Sequence, residues 1–288
     1  MSESVNNEIT VDMLARSMRS KLAAIYGEGE AKAMVALIFH ALKGWDRTAL
    51  IINGDLPASG WIQNKTSDIM ERLSRHEPIQ YVLGEAYFYG MNFCVTPATL
   101  IPRPETEQLV DIIVKENKAS DLRVLDIGTG SGAIAIALSR NLPFSQVSAI
   151  DISPEALVVA RQNAENLHAS VNFIEADVFH YSPQPDSFDI IVSNPPYVDD
   201  SEKSGMERNV LDYEPHSALF VPDDNPLLYY KRISEIAVPA LAPKGSLYLE
   251  INPRHAAELA AYLEEHGFSE VRTINDFRNL PRFIKCQK

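Results

Sequence analysis

The chain has 288 residues, 45% of them hydrophobic and 23% charged, which excludes extensive disorder and allows a large domain and a small one, each with its own core. A formal net charge of -13 counts against a protein that grips a phosphate backbone over its whole surface, because such binding depends on clustered Lys and Arg, and leaves room only for a local basic patch. Cys94 and Cys286 form no CxxC or related pattern, so neither a metal site nor a disulfide framework is expected. The opening MSESVNNEIT has no basic region followed by an apolar run, and no apolar stretch approaches bilayer length. The expected setting is therefore the cytoplasm, without a membrane partner.

Apolar residues recur three or four apart from Thr10 to about Glu77, with breaks at Gly27 to Gly29 and at Gly44, and predict a small helical bundle over residues 1–80. Asp46 and Ser59 stand where short helices begin, and Pro78 stops the last one. Aromatic and β-branched residues around Gly84 and Gly90 predict a β-hairpin over 81–100 that links the bundle to a domain spanning 101–288. Pro104 sits at a first helical position, with Glu105 and Glu107 in the first turn, where negative charge suits the helix dipole.

Beyond residue 121 the period alternates between strand and helix. RVLDIG, QVSAIDIS, VNFIEAD, FDIIVSNPP and GSLYLEIN read as short apolar strands separated by amphipathic helices, which implies a parallel sheet covered on both faces. EVRTIND and RFIKCQK then predict an antiparallel hairpin at the sheet edge. His40, His76 and His168 fit surface or core positions, and no role is assigned to them.

Two motifs carry chemistry. VLDIGTGSGA places Gly128, Gly130 and Gly132 between a strand and a helix, where the backbone can approach a ligand and present free N–H groups. Asp151, at the end of the next strand, is spaced to accept both ribose hydroxyls of an adenosine-type cofactor, and Asp177 with Val178 ends the third strand within reach of the adenine. Gly128, Gly130 and Ala133 also satisfy a dinucleotide fingerprint, so this loop by itself leaves a dehydrogenase open.

The second motif is Asn194-Pro195-Pro196-Tyr197, at the carboxyl end of the fourth strand. A carboxamide nitrogen has a delocalised lone pair and needs both N–H groups held by acceptors before it can attack an electrophile. Consecutive prolines offer carbonyls without competing donors on a stiff backbone. The Asn194 side-chain oxygen and the Pro195 carbonyl are expected to accept the two amide protons, while Tyr197 provides a flat face for the planar group. A hydride-transfer enzyme has no use for such a loop, and with the glycine loop it points to methyl transfer onto a planar amide or amine nitrogen.

EPIQYVLGEAYFYG, TPATLIPRPETE, VLDIGTGSGAIAIAL, SNPPYV, YEPHSALF and the terminal RFI, in that order over nearly the whole chain, resemble the PrmC/HemK family of peptide chain release factor N(5)-glutamine methyltransferases. The resemblance implies an α/β class I S-adenosylmethionine-dependent methyltransferase domain, Rossmann-like, with a seven-stranded, mostly parallel sheet. A small all-α amino-terminal domain then helps to hold the substrate. It implies S-adenosylmethionine as cofactor, with Gly128, Thr129, Gly130, Ser131, Gly132, Asp151, Val178 and Asn194 contacting it, and S-adenosylhomocysteine as product. It also implies that Asn194 to Tyr197 hold the glutamine of a Gly-Gly-Gln tip on a bacterial release factor, and that Arg103 and Glu105 shape the mouth.

The chain departs from the family after the fifth strand, where Glu250-Ile251-Asn252-Pro253-Arg254 replaces a segment with a glycine and a later glutamine, and at Val178, where a bulky aromatic is familiar. Other readings share parts of the same residues: a glutamine methyltransferase acting on a ribosomal protein, a nucleic-acid adenine methyltransferase, and a non-catalytic adenosine-binding factor. The acidic balance and the lack of a basic recognition domain weigh against nucleic acid.

Overall fold

The computed structural model describes residues 8–288; the first seven, included in the reading of the opening segment, lie outside the described residues. Contacts divide the chain into two units, Met1–Gly84 and Glu85–Lys288.

The first unit is helical: α1 (Val11–Tyr26), α2 (Glu28–Lys43), α3 (Arg47–Ile52), α4 (Gly60–Ser74) and α5 (Ile79–Leu83). Asp46 and Ser59 cap their helices as expected, accepting from Ala49 N at 2.7 Å and Ile62 N at 3.3 Å. Met18, Leu22, Ile38, Phe39 and Leu73 form a core of this unit's own.

The second unit begins with the hairpin β1 (Glu85–Phe88) and β2 (Met91–Cys94), which pair antiparallel. Read from sequence as a link between domains, the hairpin is part of the second unit's core: Phe88 and Phe93 are fully buried, with rings edge to face at 5.9 Å. The chain turns into it at Gly84, which adopts a left-handed φ of 78°.

There follow α6 (Pro104–Glu116), β3 (Arg123–Ile127), α7 (Ala133–Asn141), β4 (Gln146–Asp151), α8 (Pro154–Asn166), β5 (Val171–Glu175) and β6 (Phe188–Ser193). After the short parallel pair β7 (Val198–Asp199) and β8 (Phe220–Val221), with α9 (Arg208–Leu211) between them, come α10 (Leu228–Ala240), β9 (Leu241–Glu250) and α11 (Ala256–Glu265). The hairpin β10 (Ser269–Asn275) and β11 (Pro281–Gln287) closes the described chain.

The main sheet has seven strands in the order β10-β11-β9-β6-β3-β4-β5. Strands β9, β6, β3, β4 and β5 run parallel, and β11 joins antiparallel to β9. Alternate residues of the strands face opposite cores. Val124, Val147, Ile190 and Val192 meet α6, α7, α8 and the β1–β2 hairpin, whereas Leu125, Ile150, Ile191 and Leu249 meet α10 and α11. The winding starts at β3, proceeds to β4 and β5, then returns to β6 on the other side of β3. Such a reversal opens a crevice at the carboxyl ends of the two central strands.

Candidate active site

The strand register sets the site. Ile174 pairs with Ile150, Ile150 is level with Ile127, Ile127 with Ser193, and Ser193 with Leu249. Asp151, Gly128, Asn194 and Glu250 are each the next residue along their chains, so all four leave the sheet in one row, side by side. Ser193 Oγ donates to the Ile127 carbonyl at 2.7 Å and ties the two central loops together at their root.

Above this row lies a cavity of about 530 Å³, lined among others by Gly128, Thr129, Gly130, Ser131, Asp151, Asp177, Val178, Asn194, Pro195 and Pro196. Of the residues expected around a cofactor, Gly132 alone does not line it. At φ 82° its missing Cβ would stand 3.0 Å from Ile136 Cδ1 and 3.2 Å from Ala160 Cβ. Gly132 thus lets α7 close onto α8. At Gly130 a Cβ would meet nothing within 4 Å, and the bare backbone there leaves room for a ligand.

The loop's N–H groups, expected to be free for a ligand, are largely engaged within the chain. Gly128 and Thr129 donate to the Ile150 carbonyl at 2.9 and 3.0 Å, Gly130 to Asp151 Oδ2 at 2.8 Å, and Gly132 to the Thr129 carbonyl at 2.9 Å. A dinucleotide fold aims such donors at a pyrophosphate. Here they fix the loop and Asp151 to each other, which removes the support the glycine pattern gave to a dehydrogenase. Beneath the loop the fully buried Asp126 accepts from Thr129 Oγ1 at 2.7 Å, and burial pushes its carboxyl up to about 7.

At the far wall, Asp177 accepts from Phe179 N at 2.9 Å and pairs with His180 at 2.8 Å, and these two bonds lower its pKa. Val178 packs into the second core and gives its carbonyl to Arg232 Nε at 2.9 Å. The aromatic surface missing at Val178 is supplied by its neighbours: Phe179 and Tyr229 both line the cavity, with ring centroids 5.5 Å apart. The signal of Phe179 in the sequence was an aromatic displaced by one position, whereas Tyr229, far along the chain, had none.

Asn194 also lines a second, smaller cleft of about 40 Å³, together with Leu100, Arg103, Tyr197, Val198, Ala218 and Leu219. It stands between the two spaces. Its Nδ2 donates to Thr106 Oγ1 at 3.2 Å. The Tyr197 hydroxyl donates to Glu250 Oε1 at 3.1 Å, and burial first, then the Glu250 charge, raises its pKa.

Residues far away in sequence brace the same loop. Asn252 Nδ2 donates to the Tyr197 carbonyl at 3.0 Å and to Glu202 Oε2 at 2.9 Å, while His255 Nε2 meets Asp199 at 3.0 Å. The segment after β9 that departs from the family pattern is therefore the brace of this chain's Asn-Pro-Pro-Tyr loop. Glu214, buried in the YEPHSALF segment, accepts from Arg103 Nη2 at 2.6 Å and Ile101 N at 3.2 Å, and latches the IPRPETE segment over the site. Arg103 lines both spaces as expected at a mouth; Glu105 lines neither and faces Arg278 at 3.9 Å.

The sequence reading gave Thr106, Glu214, Glu250 and Asn252 no part in the site, although Glu250 and Asn252 were marked by the departure after the fifth strand. Among the described residues no cluster of His, Cys, Asp and Glu could hold a metal ion, and no helix is long and apolar enough to cross a membrane.

Comparison with known proteins gives two family matches: residues 105–211 match the methyltransferase small domain, and residues 14–84 match the PrmC N-terminal domain. The chain is 47% identical to the release factor glutamine methyltransferase of Bacteroides thetaiotaomicron over 94% of its own length and 98% of the relative's. It is 41% identical to the release factor glutamine methyltransferase of Flavobacterium psychrophilum, over 95% and 99% of the two chains. Among solved structures, a methyltransferase from Pyrococcus furiosus aligns over 78% of this chain and 98% of its own with a TM-score of 0.52 at 18% identity, a likeness of fold.

Proposed function

The chain belongs to the release factor glutamine methyltransferase family, and from that membership we propose that it methylates the side-chain amide nitrogen of the glutamine in the Gly-Gly-Gln tip of a bacterial release factor, using S-adenosylmethionine. The observation that carries this reading is the position of Asn194 between a large cavity and a small cleft, in one row with Asp151 and the glycine loop.

The large cavity suits the cofactor. Its size falls within the roughly 300–1,000 Å³ of small-molecule sites. Asp151 lines the cavity, and in this reading its carboxylate accepts the ribose hydroxyls; Phe179 and Tyr229 offer aromatic faces to an adenine, and Gly128 and Gly130 leave open space where side chains would stand. An engaged glycine loop also fits a cofactor that carries no phosphate. When bound, S-adenosylmethionine supplies an electrophilic methyl group on a sulfonium.

The rest of the chemistry is orientation by this chain's residues. The small cleft receives the glutamine side chain. Asn194 Oδ1 and the Pro195 carbonyl accept the two amide protons, and the Tyr197 ring supports the planar group, so that the nitrogen lone pair points into the large cavity. No ionised base is needed for the attack, and the surplus proton of the methylated amide leaves from between those two oxygens to water. The helical unit contributes to holding the release factor, and the reaction takes place in the cytoplasm.

Transfer of labelled methyl to purified release factor tests the proposal. Wild type is expected to label the tip glutamine, with label lost on a Gln→Ala tip and reduced at least about 100-fold by Asn194→Ala, the order of effect seen when one positioned hydrogen-bonding group is removed. Label appearing instead on ribosomal protein or nucleic acid would replace the substrate; cofactor binding without transfer to any partner would make the chain a binding factor.

A further inference from the structure

Glu250 occupies the fourth place in the row, and the reaction as described leaves it without a part. Its side chain is buried, with 1% of the residue exposed. Oε2 accepts from Thr106 Oγ1 at 2.7 Å, and Oε1 accepts from the Tyr197 hydroxyl at 3.1 Å. Thr106 Oγ1 is in turn 3.2 Å from Asn194 Nδ2. One carboxylate is therefore joined to both ends of the Asn-Pro-Pro-Tyr motif, directly at Tyr197 and through one hydroxyl at Asn194.

The polarity of this chain of bonds follows from counting hydrogens. An ionised carboxylate only accepts, so Thr106 and Tyr197 must both donate to it. A threonine hydroxyl has one hydrogen. With that hydrogen on Glu250, the Thr106 oxygen can only accept from Asn194, and the group it faces must be the NH2 half of the carboxamide. Asn194 Oδ1 is thereby turned away from Thr106. Without this constraint the carboxamide could rotate by half a turn and present its donors where an incoming amide also brings donors.

We propose that Glu250, acting through Thr106 on Asn194 and directly on Tyr197, is a positioning residue that fixes the acceptor face of the amide-holding motif. The inference rests on the glutamine-methylation reading and deepens it. It assigns no contact between Glu250 and either ligand, only the orientation of the groups that hold the substrate.

Thr106 gives the sharper test, because two substitutions separate the hydroxyl from the methyl. Thr106→Val keeps the volume and removes the relay; Thr106→Ser keeps the relay and opens a small void beside it. With far-UV circular dichroism and thermal unfolding as controls for folding, Thr106→Val is expected to lower kcat for labelling of the release factor by about 10- to 100-fold, the scale of a misplaced reacting group, with the KM for S-adenosylmethionine within about threefold of wild type. Thr106→Ser is expected to retain kcat within about threefold. Glu250→Gln, which sets an NH2 donor against a neighbour that already donates, is expected to follow Val.

The opposite ranking, with Val near wild type and Ser impaired, would mean that Thr106 and Glu250 serve packing alone, and would overturn the proposal while leaving the glutamine reading intact. A wild-type enzyme that labels no release factor would overturn both.

Discussion

At the scale of single residues, two fully buried carboxyls govern the response to pH. Burial pushes Glu250 up to about 7 against the opposing hydrogen bonds of Thr106 and Tyr197; Arg282 on β11 favours its charge, and Glu105 on α6 disfavours it. Asp126 under the glycine loop is pushed to about 7 by the same desolvation. Both folded values lie above the unfolded ones. The stability these groups contribute is therefore complete below pH 4 and is lost as pH rises through about 7, because above the unfolded values the unfolded chain releases protons that the folded chain keeps. Activity runs the other way, since the relay through Thr106 needs Glu250 ionised. The rate of methyl transfer is expected to climb close to tenfold per pH unit up to an apparent pKa near 7, and then level off. Glu250→Gln is expected to give a low rate without that rise, and a melting temperature that declines less between pH 6 and 8 than that of wild type. A rise of the same shape in Glu250→Gln would assign the titration to another group.

At the scale of elements, the glycine loop shows one short segment doing two jobs. Gly128 and Gly130 leave space above the sheet, while Gly132 permits α7 to close on α8. Gly132→Ala combines a left-handed φ that costs about 1–2 kcal/mol with an overlap against Ile136 and Ala160 that adds about 1–3 kcal/mol. A loss of about 2–5 kcal/mol in the second unit is expected, read by urea unfolding followed through a signal of that unit; an unchanged midpoint would mean that α8 moves aside without cost.

The same elements show what can be read before folding. Strand and helix alternation, the caps at Asp46 and Ser59, and the closing antiparallel hairpin follow from local pattern, and the structure has each of them. The helix after the glycine loop starts at Ala133, because Gly132 takes the left-handed conformation before it. The hairpin at Glu85–Cys94 reads as a linker because its alternation is short, whereas Phe88 and Phe93 are drawn into the second unit's core. The parts that Glu250, Thr106 and Glu214 play were illegible for a different reason. Their partners lie 53 to 144 residues away, at Tyr197, Glu250, Ile101 and Arg103, and only the strand register and loop folding bring them together.

At the scale of the whole molecule, each unit has its own hydrophobic core, and all the residues that line the two cavities belong to the second. On the proposed function, a fragment of residues 85–288 is expected to fold and to bind S-adenosylmethionine within about threefold of the full chain, as an independent domain should. Its labelling of release factor is expected to suffer mainly in the KM for that protein, by about tenfold or more, the scale of a lost interaction worth roughly 1.4 kcal/mol. Calorimetric titration with the cofactor and steady-state labelling together decide the point; a fragment that labels as efficiently as the full chain would free the helical unit from any part in holding substrate.

The position of β11 has a consequence for how this chain emerges from the ribosome. It lies between β9 and β10, both of which are synthesised before it. Until residues 281–287 have been made, β10 has no neighbour to join and β9 presents an open edge that carries Leu247 and Leu249. Because Glu250 ends that exposed strand, the nascent protein holds its amide-binding loop against an unfinished sheet, in the state where unpaired apolar edges associate with one another. Deleting residues 281–287 is therefore expected to leave that apolar edge open in the finished chain and to lower the soluble yield, read by fractionating the expressed protein, whereas an unchanged yield would mean that the edge is covered in another way.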